Sequence, residues 1–82
     1  MKLLKDILYG ARIVEVNGSM DTAISSVVFD SRRAVEGSAF VAVRGSLADG
    51  HDFISTAIDN GALAVICEEI PIDAVRGVTW VR

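Results

Sequence analysis

Two short stretches hold most of the residues able to do chemistry. One is Asp30-Ser31-Arg32-Arg33. The other is Arg44-Gly45-Ser46-Leu47-Ala48-Asp49-Gly50-His51. Between them they offer hydroxyls, carboxylates, an imidazole and three arginines. Guanidinium groups recognise phosphate oxygens in a planar fork. Glycines at 45 and 50 let backbone approach a ligand closely. This inventory suits recognition of a small, polar, phosphorylated molecule. The chain has one histidine and no Gly-x-x-x-x-Gly-Lys-[Ser/Thr] loop. It also shows no metal-ligand cluster and no nucleophile set beside a base at a recognisable spacing. A binding domain cut from a larger protein fits these residues better than a free-standing catalyst.

Each residue also has a structural explanation. Asp30-Ser31 can close an Asx-type turn. The arginines can be solvated charges, and Gly45 and Gly50 can serve turn geometry alone. His51 can be a helix-start residue, and Asp49 suits a cap better than a base. What raises the binding reading is position: both stretches follow segments that read as strands.

Those segments come from hydrophobic spacing. Leu3, Leu4, Ile7 and Leu8 share one face of a short helix over 3–9, with Gly10 as its stop. Ile13, Val14 and Val16 read as a short strand closed by Asn17-Gly18. A strand is expected over about 26–30 and another over 39–43, separated by a turn at Glu36-Gly37. Asp49 to Asp52 should open a helix whose amides suit an anion. Phe53, Ile54, Ala57 and Ile58 form its apolar face and Gly61 follows its end. Leu63 to Cys67 is a second buried-type strand. Residues 39–67 therefore make a strand-helix-strand unit with parallel strands. The fold class is α/β with a small, mostly parallel or mixed sheet. In such a sheet, ligands gather at the carboxyl ends of the strands.

Composition bounds the rest. Eighty-two residues make one domain at most, near the lower limit for a self-sufficient core. At 51% hydrophobic and 23% charged, the chain is too apolar for disorder. No apolar run approaches the roughly 20 residues of a membrane helix. A formal charge of −3 argues against a nucleic-acid partner. The single Cys67 cannot form an internal disulfide and sits in an apolar run, as a small core residue does. Trp80, close to the last residue, needs something to pack against.

In order along the chain stand Asp30-Ser31-Arg32, Gly37-Ser38-Ala39-Phe40-Val41-Ala42-Val43-Arg44-Gly45, Asp49-Gly50-His51-Asp52-Phe53-Ile54, Ala57, Gly61-Ala62 and Ala64-Val65. This series resembles the N-terminal domain of the Mur ligases, the ATP-dependent enzymes that build the peptidoglycan stem peptide. The match covers 30–65 directly, and the opening helix extends it over most of the chain. Within the family the likeness is greatest to the branch that adds the third stem residue, meso-diaminopimelate or L-lysine. The branch that adds D-alanyl-D-alanine shares much of the pattern.

The resemblance implies a cytoplasmic, three-domain ligase. Its N-terminal domain holds the UDP of a UDP-N-acetylmuramoyl-dipeptide, its central domain binds ATP and Mg²⁺, and its C-terminal domain brings the amino acid. The intact enzyme activates a carboxylate as an acyl phosphate, which an amine attacks. Carried over by position, the UDP contacts are Phe29 through its backbone, Ser31, and Ser46-Leu47-Ala48. Some relatives carry histidine at the position of Ser46, and a hydroxyl offers no imidazole face to uracil. No catalytic or metal-binding residue of the family falls within these residues, so this chain alone is expected to be inactive. Its share is binding energy on a remote part of the substrate, which orients the reacting end. Its partners on this reading are the UDP substrate and its own central and C-terminal domains, with no nucleic acid and no membrane. A different class, a free-standing binding module on the same small fold, stays open. A Gly-Thr-x-Gly-Lys loop soon after Arg82 in the gene would separate the two.

Overall fold

Alternation along three short strands builds the molecule. In the computed structural model, which describes residues 2–43, 50–71 and 77–82, strands β5 (Ala39–Val41), β6 (Ala64–Ile66) and β7 (Thr79–Val81) lie parallel and in register. Phe40, Val65 and Trp80 fall opposite one another and point to one face. They join Ala34, Ala42, Ile54, Ala57, Ala62 and Cys67 in the larger core cluster. Ala39, Ala64 and Val81 belong to the other face, where Leu4 and Ile24 close over them. Small residues at 39 and 64 leave room for those larger side chains. Trp80 thus finds its packing inside this chain, at 2% exposure.

β4 (Val27–Val28) pairs parallel to β5, and β2 (Val16–Asn17) pairs antiparallel to β7. The five-stranded sheet runs β2-β7-β6-β5-β4. Between β5 and β6 the chain passes through a 3-10 turn (Gly50–Phe53) and α2 (Ile54–Asp59). This is the expected strand-helix-strand unit, and the α/β class with a mostly parallel sheet holds. Gly61 follows α2 at φ +109, a conformation that only glycine adopts easily, and an added Cβ would stand 2.6 Å from Glu36 Cα.

Several expected boundaries shift. The first helix, α1 (Leu4–Ile7), begins later than residue 3, because Lys2–Leu3 forms β1 and pairs antiparallel with β3 (Ala23–Ile24). Gly10 does stop the segment, at φ +83. The strand expected around 13–16 is confined to Val16–Asn17, and that over 26–30 to Val27–Val28, leaving Phe29 and Asp30 free to turn away. α2 starts at Ile54, not near 52, because Gly50–Phe53 winds as a 3-10 turn. Its N-cap position is Phe53, which makes no side-chain cap, so His51 does not cap it. Asp49 lies outside the described residues.

Candidate functional site at the carboxyl ends of β4 and β5

Parallel pairing puts the carboxyl ends of β4 and β5 on one edge of the sheet. A cleft of about 520 Å³ opens there, lined by Phe29, Asp30, Ser31, Arg32, Phe40, Val43, Gly50 and Phe53. Its first wall is the segment after β4. Asp30 Oδ1 accepts a hydrogen bond from the Arg32 backbone N–H at 2.9 Å and caps the 3-10 turn Ser31–Arg33. The Arg32 guanidinium folds back onto the same carboxylate, Nε to Oδ1 at 3.1 Å and Nη2 to Oδ2 at 2.8 Å. These bonds, the side-chain ones first, lower the Asp30 carboxyl from 3.8 to about 2. The Asx-type reading of Asp30 is therefore correct. Arg32 lines the cleft with its charge already paired to Asp30.

Ser31 is 5% exposed yet lines the cleft. Asn60 of the α2 C-cap donates from Nδ2 to the Ser31 carbonyl at 3.1 Å, and Ala34 N–H donates to the same oxygen at 3.2 Å. The carbonyl is thus spoken for. The hydroxyl is the group of Ser31 left to offer a ligand. Phe29, 71% exposed, stands at the mouth and can present its ring as well as its backbone. Asn60 carries no motif signal in the sequence, because its role depends on a contact 29 residues away.

The second wall is the 3-10 turn before α2. Gly50 N–H donates to Val43 O at 2.8 Å, and a Cβ on Gly50 would stand 2.6 Å from Val43 N. Gly50 is thus required by contact with the end of β5, in addition to lining the cleft. Phe53 was expected on the apolar face of the helix; it is 44% exposed and lines the cleft instead. His51 Nε2 accepts from the backbone N–H groups of Glu68 (3.1 Å) and Glu69 (3.3 Å). Arg33 is exposed and lies outside the lining, while Arg44, Gly45, Ser46, Leu47 and Ala48 lie outside the described residues. The structure thus brings Phe29 and Ser31 together and leaves the Ser46-Leu47-Ala48 expectation open.

Cys67 is buried, with Sγ 3.7 Å from Val81 O, and burial raises its thiol above the ordinary value. It is a core residue. Among the described residues no group of three or more His, Cys, Asp or Glu side chains could hold a metal ion. No helix among them is long and apolar enough to cross a membrane.

The arrangement is an α/β domain with a cleft at the carboxyl ends of adjacent parallel strands, the usual place for a ligand in an open sheet. The chain belongs to the Mur ligase family. The family model described as "Mur ligase family, catalytic domain" matches residues 23–78. UDP-N-acetylmuramoyl-L-alanyl-D-glutamate--2,6-diaminopimelate ligase of Cytophaga hutchinsonii is 46% identical over 68 residues, covering 83% of this chain and 14% of that protein. The enzyme of the same name from Phocaeicola vulgatus is 40% identical across 100% of this chain and 17% of its own. Among solved structures, MurF ligase from Thermotoga maritima in complex with ADP superposes with a TM-score of 0.59 at 43% identity, over 68% of this chain and 13% of that one. MurF from Acinetobacter baumannii gives 0.61 at 36%, over 71% and 12%. The chain thus spans well under a fifth of the relatives it matches.

Proposed function

We propose that this chain is the N-terminal, UDP-binding domain of an ATP-dependent ligase that adds the third residue, meso-diaminopimelate or L-lysine, to UDP-N-acetylmuramoyl-L-alanyl-D-glutamate in peptidoglycan synthesis. The observation that carries the reading is the cleft itself. In a chain 46% identical to a diaminopimelate ligase, the family-matched Phe29 and Ser31 line one wall, and a half-exposed aromatic, Phe53, lines the other. Aromatic rings stack on a planar base with little sequence-level demand. A strand-end hydroxyl supplies direction. The domain acts by holding the nucleotide end of the substrate, so that its binding energy orients the distant carboxylate for reaction elsewhere in the enzyme. ATP and Mg²⁺ belong to the other domains of that enzyme on this reading, and the reaction is cytoplasmic.

The D-alanyl-D-alanine-adding ligase is the second reading, favoured by the MurF structures that share the fold at 36–43% identity. Both readings put UDP in the same cleft. Titrating the chain with UDP while following amide resonances tests it. Shifts confined to residues 29–33, 43–53 and their neighbours are expected, with a Kd of about 10⁻⁴ M or weaker, roughly 5 kcal/mol, because one end of the substrate is held by one domain. Absence of shifts there at millimolar UDP contradicts it.

A further inference from the structure

The second wall of the cleft is pinned from a distance. His51 reaches from the 3-10 turn to the connection after β6, where two consecutive backbone amides, those of Glu68 and Glu69, converge on its Nε2 at 3.1 and 3.3 Å. A ring nitrogen can accept only while it carries no proton, so this geometry fixes the neutral ring with its proton on Nδ1. On one side of His51, Gly50 is bonded to Val43 O and lines the cleft; on the other, Phe53 lines it too. The imidazole therefore ties the cleft-lining turn to the carboxyl end of β6, the strand next to β5.

We propose that His51 is a positioning residue for the nucleotide cleft: its neutral imidazole clips the Gly50–Phe53 wall to the Glu68 and Glu69 amides, and protonation opens the clip. The inference rests on the UDP reading for its consequence in binding, and on hydrogen-bond geometry alone for the clip. An Nε2–H would face two N–H donors, so protonation removes both bonds and sets like partial charges against each other. Among the described residues, the charged groups on the elements that meet here are Asp52 on the same turn, Glu68 and Glu69 whose amides are the donors, and Arg82, whose Nε donates to Glu68 O at 3.0 Å and whose Nη1 lies 3.9 Å from Glu15.

The test combines ¹⁵N-imidazole spectra, an amide pH titration and UDP binding in wild type, His51→Gln and His51→Ala. Gln places an acceptor oxygen close to the position of Nε2 and does not titrate. At neutral pH the ring should be the Nδ1–H tautomer. On acidification the Glu68 and Glu69 amide resonances and the Phe53 ring resonances should move with the midpoint of the ring itself. In His51→Gln that phase should vanish while UDP affinity stays within about twofold. His51→Ala should weaken UDP by about 2- to 12-fold, the span of one lost neutral hydrogen bond. An Nε2–H tautomer, or Glu68 and Glu69 amides that ignore the ring titration, overturns the clip even if His51→Ala fails to fold. Unchanged affinity in a folded His51→Ala overturns the positioning role. Failure of wild type to bind UDP at all counts against the proposed function and leaves the clip to be judged by the tautomer and amide data.

Discussion

The two walls of the cleft are held in opposite ways. The wall after β4 braces itself: Asp30 and Arg32, two residues apart, make three hydrogen bonds with each other. The wall before α2 is braced from afar, through Gly50 to Val43 and through His51 to amides 17 and 18 residues away. A locally braced wall, tied to α2 through Asn60 on the Ser31 carbonyl, depends less on distant anchors. A remotely braced wall moves when its anchor moves. One side of this site is therefore held mainly by its own residues and the other by the connection after β6.

The largest effect expected from breaking this contrast is at Gly50. Gly50→Ala forces a Cβ to within 2.6 Å of the Val43 backbone. Overpacking of this kind costs about 1–3 kcal/mol. Chemical denaturation should show that loss, with UDP affinity falling alongside it, since the second wall is displaced. A variant as stable as wild type would mean that the turn relaxes freely and is not anchored at β5.

Ser31→Ala comes next and should act on affinity. Loss of one neutral hydrogen bond costs about 0.5–1.5 kcal/mol, or 2- to 12-fold in Kd for UDP. Cys67→Ala is the counterpart: the side chain lies in the core, so the melting temperature should fall while the folded protein binds UDP as before. If Ser31→Ala melts earlier than Cys67→Ala and leaves Kd unchanged, Ser31 is a turn residue only.

The smallest effect concerns the self-braced wall. The Asp30 carboxyl is lowered to about 2 in the folded chain from 3.8. A group held below its unfolded value contributes stability above that value and loses it as pH falls through the folded one. Asp30→Asn keeps an acceptor for the Arg32 N–H and loses the charge. The stability difference between wild type and Asp30→Asn should therefore be constant above about pH 5 and shrink toward pH 2. Because Asp30 is exposed to water, the difference should be small and should decrease with salt. A difference that grows on acidification contradicts the pairing with Arg32.

The same contrast explains what the sequence could show. The self-braced wall was legible, because an Asp followed by a short hydroxyl residue and Arg at i+2 makes its bonds locally. The parallel β5-α2-β6 unit was legible too, from two apolar runs flanking a helical period. Leu3 reads as the start of the helix and not as part of β1, because its partner Ala23 lies 20 residues away and pairing over that span has no local signature. The spacing of Phe53 with Ala57 places it on the apolar face of the helix. The 3-10 winding of Gly50–Phe53 rotates it toward the cleft instead, and helical periodicity does not register such a change. The roles of Asn60 and His51 rest wholly on long-range contacts.

The central claim is that one nucleotide sits between these two unlike walls. Intermolecular NOEs between the uracil H5 and H6 protons of bound UDP and the aromatic rings of the chain test it most directly. The account predicts NOEs to both Phe29 and Phe53. NOEs to neither, with shifts clustered instead around Lys2, Asp6 and Ser25 at the second concavity of the surface, would contradict it.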